Sequence, residues 1–180
     1  MKTKTIILLL LTFYQGILFA QISNEISEEV PSMNVVDIND FLSPANGTLR
    51  MANESLTNSL NVQNVKSLIY NTQPSIYYFS DVEKIFGEKP KNLFTDFNSL
   101  NNLNTAISLK NNIEIVTIKL ENKNQLNSTF NLELFSSFKN LKYIYFLSSF
   151  DTNAQAISNM IIGINEKYSV FYNVEKGDAN

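Results

Sequence analysis

Residues 113–150 read IEIVTIKL (113–120), a polar break ENKNQLNST (121–129), FNLELFSSFKNL (130–141) and KYIYFLSSF (142–150). The first segment is rich in β-branched residues and apolar on both faces apart from Glu114, Thr117 and Lys119, which suits a strand covered on both sides. Tyr143 to Leu147 is a continuous apolar run and the best candidate for a central strand. Between them, Phe130, Leu134, Phe138 and Leu141 are spaced as on a helix, and residues 121–141 are long for a hairpin loop. A parallel strand-helix-strand crossover follows.

Working outward, the C-terminal side repeats this arrangement. Asp151 or Thr152 is placed to cap a helix bearing Ala154, Ile157, Met160 and Ile161, with Gly163 at its end. Tyr168, Val170, Tyr172 and Val174 then alternate with Ser169 and Asn173, as in a strand near a sheet edge. On the N-terminal side, Val62, Val65, Leu68 and Ile69 share a helical face, and Ser75 to Ser80 reads as an aromatic strand. Asp81 to Phe86 reads as a helical turn closed by Gly87, and Phe94, Phe97, Leu100, Leu103 and Ile107 predict a helix over about 95–109. The expected fold is α/β: a small, largely parallel sheet of about four strands built from β-α-β-α-β units, with helices packed on it.

Leu132, Phe135, Phe138, Leu141, Ile144 and Phe146 fall at steps of three and then two, and Ile115, Ile118 and Leu120 match Leu141, Ile144 and Phe146 at an offset of 26. This spacing resembles leucine-rich-repeat units over about 113–150. Where such repeats favour Asn or Cys, Lys123 and Ser149 stand instead. The resemblance implies parallel strands side by side and, as an alternative architecture, a short solenoid.

Residues 1–20 carry Lys2 and Lys4, an apolar run from Ile6 to Phe19, and Ala20 before Gln21, the pattern of a secretory signal peptide cleaved between Ala20 and Gln21. The run is too short and too interrupted by Gln15 for a membrane span. The mature chain is therefore expected in the periplasm or outside the cell. Residues 21–56 lack a sustained period and read as a flexible leader containing Glu25, Glu28, Glu29, Pro31 and Pro44, with one short docking element around Val35 to Phe41. Residues 57–180 make a single α/β domain. Asp37-Ile38-Asn39-Asp40 resembles the start of a calcium loop but lacks Gly at the sixth position. Sequons occur at Asn46, Asn53 and Asn127, as expected by chance among 26 asparagines.

Composition excludes much chemistry. The chain of 180 residues has net charge −3, one arginine (Arg50), and neither His, Cys nor Trp. Histidine bases and metal ligands, thiolate nucleophiles, disulfides and cysteine zinc knuckles are ruled out, and the scarce cationic charge argues against a nucleic-acid partner. The five glycines are isolated, so no phosphate loop exists and no cofactor is called for.

Two candidate sites remain. Asp81, Glu121, Asp151 and Glu175 each follow a predicted strand, and on a parallel sheet they share the carboxyl edge, where ligands bind. There they can hold a hard cation, serve as an acid/base pair for a polysaccharide, or simply complement helix N-termini, the more ordinary role. Tyr77, Tyr78, Tyr143, Tyr145, Tyr168 and Tyr172 lie on predicted strands and form a binding platform if they share an exposed face, or core if they do not. The favoured function is a non-catalytic binding or protein-interaction module for protein or glycan in the cell envelope. The alternatives are an exported carboxylate-dependent hydrolase and a cation-binding structural subunit, or one whose edge strand Tyr168 to Val174 pairs with a partner.

Overall fold

The computed structural model describes residues 33–43, 55–163 and 165–175. The signal peptide with its Ala20–Gln21 junction, the acidic leader residues and the sequons at Asn46 and Asn53 lie outside them. Strand β1 (Val35–Asp37) runs into the short helix α1 (Ile38–Leu42), whose N-cap is Asp37: its carboxylate accepts from the Asn39 backbone N–H at 2.8 Å. The Asp that opens the calcium-like string is thus spent on a helix cap. Helix α2 (Ser55–Tyr70) leads to β2 (Ser75–Phe79), β3 (Val82–Phe86) and β4 (Asn92–Asp96). Then come α3 (Leu103–Ala106), β5 (Ile115–Leu120), β6 (Phe130–Asn131), β7 (Tyr143–Ser148), α4 (Ala154–Met160), β8 (Ile161–Ile162) and β9 (Ser169–Val174).

Seven strands form one sheet in the order β1-β9-β7-β5-β4-β2-β3, and every pairing is parallel except β2 with β3. Within this sheet, from β2 to β9, each parallel strand lies beside the next parallel strand of the sheet, while β6 and β8 pair with each other in a separate two-stranded ladder. The fold is α/β with a mostly parallel sheet, as the sequence predicts, but three strands are added to the expected four: β1, β3 and β4. Strands side by side are what the repeat-like spacing implied; the constant offset of 26 is not found. Ile115 pairs with Tyr143 and Ile118 with Phe146, an offset of 28. Because side chains alternate with period two, a slip of two keeps the same residues inward, so the sequence pattern could not distinguish the registers.

Β-strands β5 and β7 are apolar throughout because both faces are covered. On one face, Val116, Ile118, Ile144 and Phe146 join a core with Leu132, Phe135, Phe138 and Leu141 from the β5–β7 connection. That connection is not the predicted α-helix. It contains 3₁₀ turns at Lys123–Asn127 and Leu132–Phe135. A 3₁₀ turn has three residues per turn, so Leu132, Phe135 and Phe138 at steps of three all point inward, and each is at most 1% exposed. The helix expected over 95–109 is likewise replaced by β4, a 3₁₀ turn Phe97–Asn102 and the single turn α3.

The opposite face of the sheet is covered by α1 and α2. Ile38, Val65 and Leu68 pack with Ile115, Tyr143, Tyr145 and Phe171, and Phe41 lies 4.7 Å from Phe171 between ring centroids. Asn92 tethers α2 by donating its Nδ2 to the Leu68 carbonyl at 2.6 Å, near the helix end where carbonyls lack helical partners. Strand β9 is paired to β7 over Ser169–Val174 and to β1 over Val170–Tyr172, so the middle of the expected edge strand is already paired on both sides.

Polar caps hold the turns. Asn122, Asn131 and Asn153 each accept a backbone N–H at the start of a turn or helix, as Asp96 does from Ser99. Asn153, not Asp151 or Thr152, therefore caps α4. Part of the asparagine content has a structural use here.

Candidate functional site

The turn between β2 and β3 has only two residues, Ser80 (φ 51°) and Asp81 (φ 63°), both left-handed. Two positive φ values define the hairpin turn whose twist matches adjacent strands. Asp81 holds it: its Oδ1 accepts from Tyr78 Oη at 2.8 Å and from Asn102 Nδ2 at 2.8 Å. Those donors, Asn102 first, stabilise the ionised carboxylate and lower its pKa. Burial, and then the bond to Asp81, raise that of Tyr78. The predicted helical turn at 81–86 is a strand because Ser-Asp here does what Asn-Gly commonly does.

The four sequence-predicted carboxylates all stand at the carboxyl ends of parallel strands or just beyond, yet the sheet spreads them out. Asp81 belongs to the β2–β3 hairpin, and Glu175 follows β9, with β4, β5 and β7 between their strands. At about 4.8 Å per strand, their strands lie roughly 19 Å apart. Glu121 forms an exposed ion pair with Lys119 at 3.0 Å. Asp151 is exposed and follows β7 by three residues. Among the described residues, no group of three or more carboxylates is placed to hold a metal ion.

The six strand tyrosines do not form one platform either. Tyr78, Tyr143, Tyr145 and Tyr168 are buried and Tyr172 is half-buried; only Tyr77 is exposed, at 39%. Tyr145 sits under the α1/α2 layer, and burial pushes its phenol up from 10.0 to about 12; a hydrogen bond with Asn173 opposes this, and the charges of Glu175, Tyr70 and Asp37 add to it. The phenol thus holds its proton better folded than unfolded. Its contribution is complete below pH 10 and is lost as pH rises from 10 to about 12. Tyr145→Phe is expected to flatten that alkaline fall in stability, and ultraviolet titration should show the highest-titrating tyrosinate missing.

What the sequence missed is the company Tyr77 keeps. By register, Tyr77 stands beside Phe94 in β4 and Lys84 in β3, on the same face of the sheet as Thr117, Tyr145 and Phe171. Helices α1 and α2 cover Tyr145 and Phe171, but among the described residues their apolar core includes no residue of β2, β3 or β4. The aromatic row therefore emerges from beneath them onto an open surface. Tyr77 stacks on Phe94 (4.9 Å between centroids, 16° between planes) and meets Phe86 edge-on (5.4 Å, 87°). Phe86 is 57% and Val82 54% exposed. Tyr77, Phe79, Val82, Lys84 and Phe86 line a shallow depression of about 420 Å³.

Locked rings of this kind present apolar area at little entropic cost, because each ring is already held by its neighbours. The depression is lined by one cation, Lys84, and among the described residues by no carboxylate, so it lacks the carboxylate pair used in glycoside hydrolysis. Among the described residues no helix is long and apolar enough to cross a membrane. Comparison with known proteins finds no matching family model, no matching curated protein and no matching solved structure.

Proposed function

We propose that the chain is a non-catalytic binding module whose contact surface is the open aromatic face of β2, β3 and β4. The observation that carries this reading is Tyr77 at the centre of that face, stacked on Phe94 and flanked by Phe86, where the helical layer stops. A cluster of exposed large apolar side chains on an otherwise polar surface marks an interaction site. The basic-apolar N-terminus with Ala20 before Gln21 supports export, which makes protein or glycan of the cell envelope the relevant ligand pool. The absence of His and Cys from the sequence, and a depression without carboxylates, support binding over hydrolysis.

The test compares the chain with a Tyr77→Ser/Phe86→Ser double variant, both immobilised, against soluble envelope glycans and fractionated envelope proteins. Both side chains are exposed enough for the fold to persist. Retention of a ligand by the parent chain and a loss of about 30-fold or more in the variant is expected, the effect of removing a central aromatic pair. Equal retention by both chains rejects this face as the contact surface.

A further inference from the structure

Strand β3 is the last strand of the sheet, five residues long, with Val82, Lys84, Ile85 and Phe86 all exposed. In a two-residue hairpin the flanking residues, Phe79 and Val82, make a closely hydrogen-bonded pair, and such pairs alternate along the ladder. Val82, Lys84 and Phe86 consequently turn their backbone N–H and C=O towards β2. Glu83 and Ile85 turn theirs outward. Among the described residues no backbone hydrogen bond outside the strand ladders engages Glu83 or Ile85. An edge of this length and apolarity is a template for one more strand.

The charges decide which strand fits. Lys84 projects on the aromatic face, and among the described residues neither ion pair includes it. Glu83 does not neutralise it, being on the opposite face, where its carboxylate accepts from the backbone N–H and the hydroxyl of Ser108. A second copy of the chain pairing antiparallel along all five residues sets Lys84 against Lys84, which is unfavourable. Sliding the copies until Ile85 faces Ile85 leaves only 84–86 overlapping. We propose that the β3 edge accepts an extended peptide strand from another protein, with a carboxylate beside Lys84 and apolar side chains beside Val82 and Phe86. Backbone pairing to Glu83 and Ile85 supplies affinity, and the side chains on the aromatic face supply selection. This inference rests on the reading of that face as the contact surface.

The test uses the full chain and a blocked synthetic peptide, Thr-Val-Thr-Glu-Thr-Val-Thr, with two controls: Lys replacing its central Glu, and N-methylation of the amides that would face β3. Amide resonances and hydrogen exchange report on each position. The Glu peptide is expected to shift and protect the Glu83 and Ile85 amides, to bind about two- to fivefold better than the Lys peptide, and to lose binding on N-methylation. Lys84→Glu should reverse the preference between the two peptides. No protection of Glu83 and Ile85 at millimolar peptide, or undiminished binding of the N-methylated peptide, overturns the proposal. Binding that survives N-methylation but is lost in the Tyr77→Ser/Phe86→Ser variant removes edge pairing and leaves the aromatic contact surface standing. Protection of the edge that is unchanged in that variant does the reverse.

Discussion

Phe146→Ala is expected to destabilise the chain by about 3–5 kcal/mol, the range for emptying a fully buried aromatic position. Phe146 lies in β7, which is flanked by β5 and β9, and it has no exposed surface. Its ring sits 5.7 Å from that of Phe130, which β6 holds beside β8 by pairing with Ile161. Removing the ring thus loosens the sheet and the layer of turns together. Because natural domains have only about 5–15 kcal/mol of stability, the loss should bring the denaturation midpoint far down without changing the slope. A midpoint within experimental error of the parent chain would show that this face is not the main core.

Leu68→Ala tests the other face. Leu68 is 2% exposed and packs with Val65, Ile115 and Tyr143, and its own carbonyl accepts from buried Asn92. We expect a loss of about 2–4 kcal/mol, read from chemical denaturation. Two consequences separate it from a general weakening. Hydrogen exchange should accelerate first in α2, because the substitution cuts that helix's attachment to the sheet. Combined with Phe146→Ala, the losses should add to within about 0.5 kcal/mol, since the two side chains belong to clusters on opposite faces of the sheet. A strongly non-additive double variant would mean the two layers communicate through β7 and are not independent.

The readability of the fold followed the number of covered faces. Ile115–Leu120 and Tyr143–Ser148 were plain in the sequence because a strand buried on both sides becomes a continuous apolar run. Val82–Phe86 is hidden because neither of its faces is buried and its turn, Ser80-Asp81, carries no glycine. Gly87 after it then reads as the end of a helical turn. The run Phe94, Phe97, Leu100, Leu103, Ile107 imitated one helix because a strand, a 3₁₀ turn and an α turn follow each other with their inward residues three or four apart. In 130–141 a period of three imitates one of 3.6, because over so few turns the two hardly differ.

For the surface, Tyr77 was legible as a strand aromatic, whereas its neighbours Phe86 and Phe94 come from strands the sequence did not reveal. Aromatic residues at 77, 79, 86 and 94 become a signal only once a hairpin folds 86 back onto 75, as the Ser75–Phe86 pairing does. The acidic edge was legible in the opposite sense. Its residues follow β2, β5, β7 and β9 in the chain, but lateral spacing across a sheet is invisible in a linear pattern, and that spacing separates Asp81 from Glu175.

The pairing of β1 with β9 has a consequence for how the molecule is made. Val35 is matched with Val170, and the Asn39 side chain bonds that of Asn173 across 134 positions of sequence. Most of the other parallel contacts join neighbours in the chain and close as each unit is completed. This one closes the longest loop among the described residues, which is slow to form and entropically costly. Strand β1 is synthesised before the strand it pairs with and cannot be seated until that strand exists. Until residues 169–174 are in place, the apolar pair Val35 and Val36 has no ladder to join, so the interval between synthesis and closure is when this chain is most exposed to misassociation.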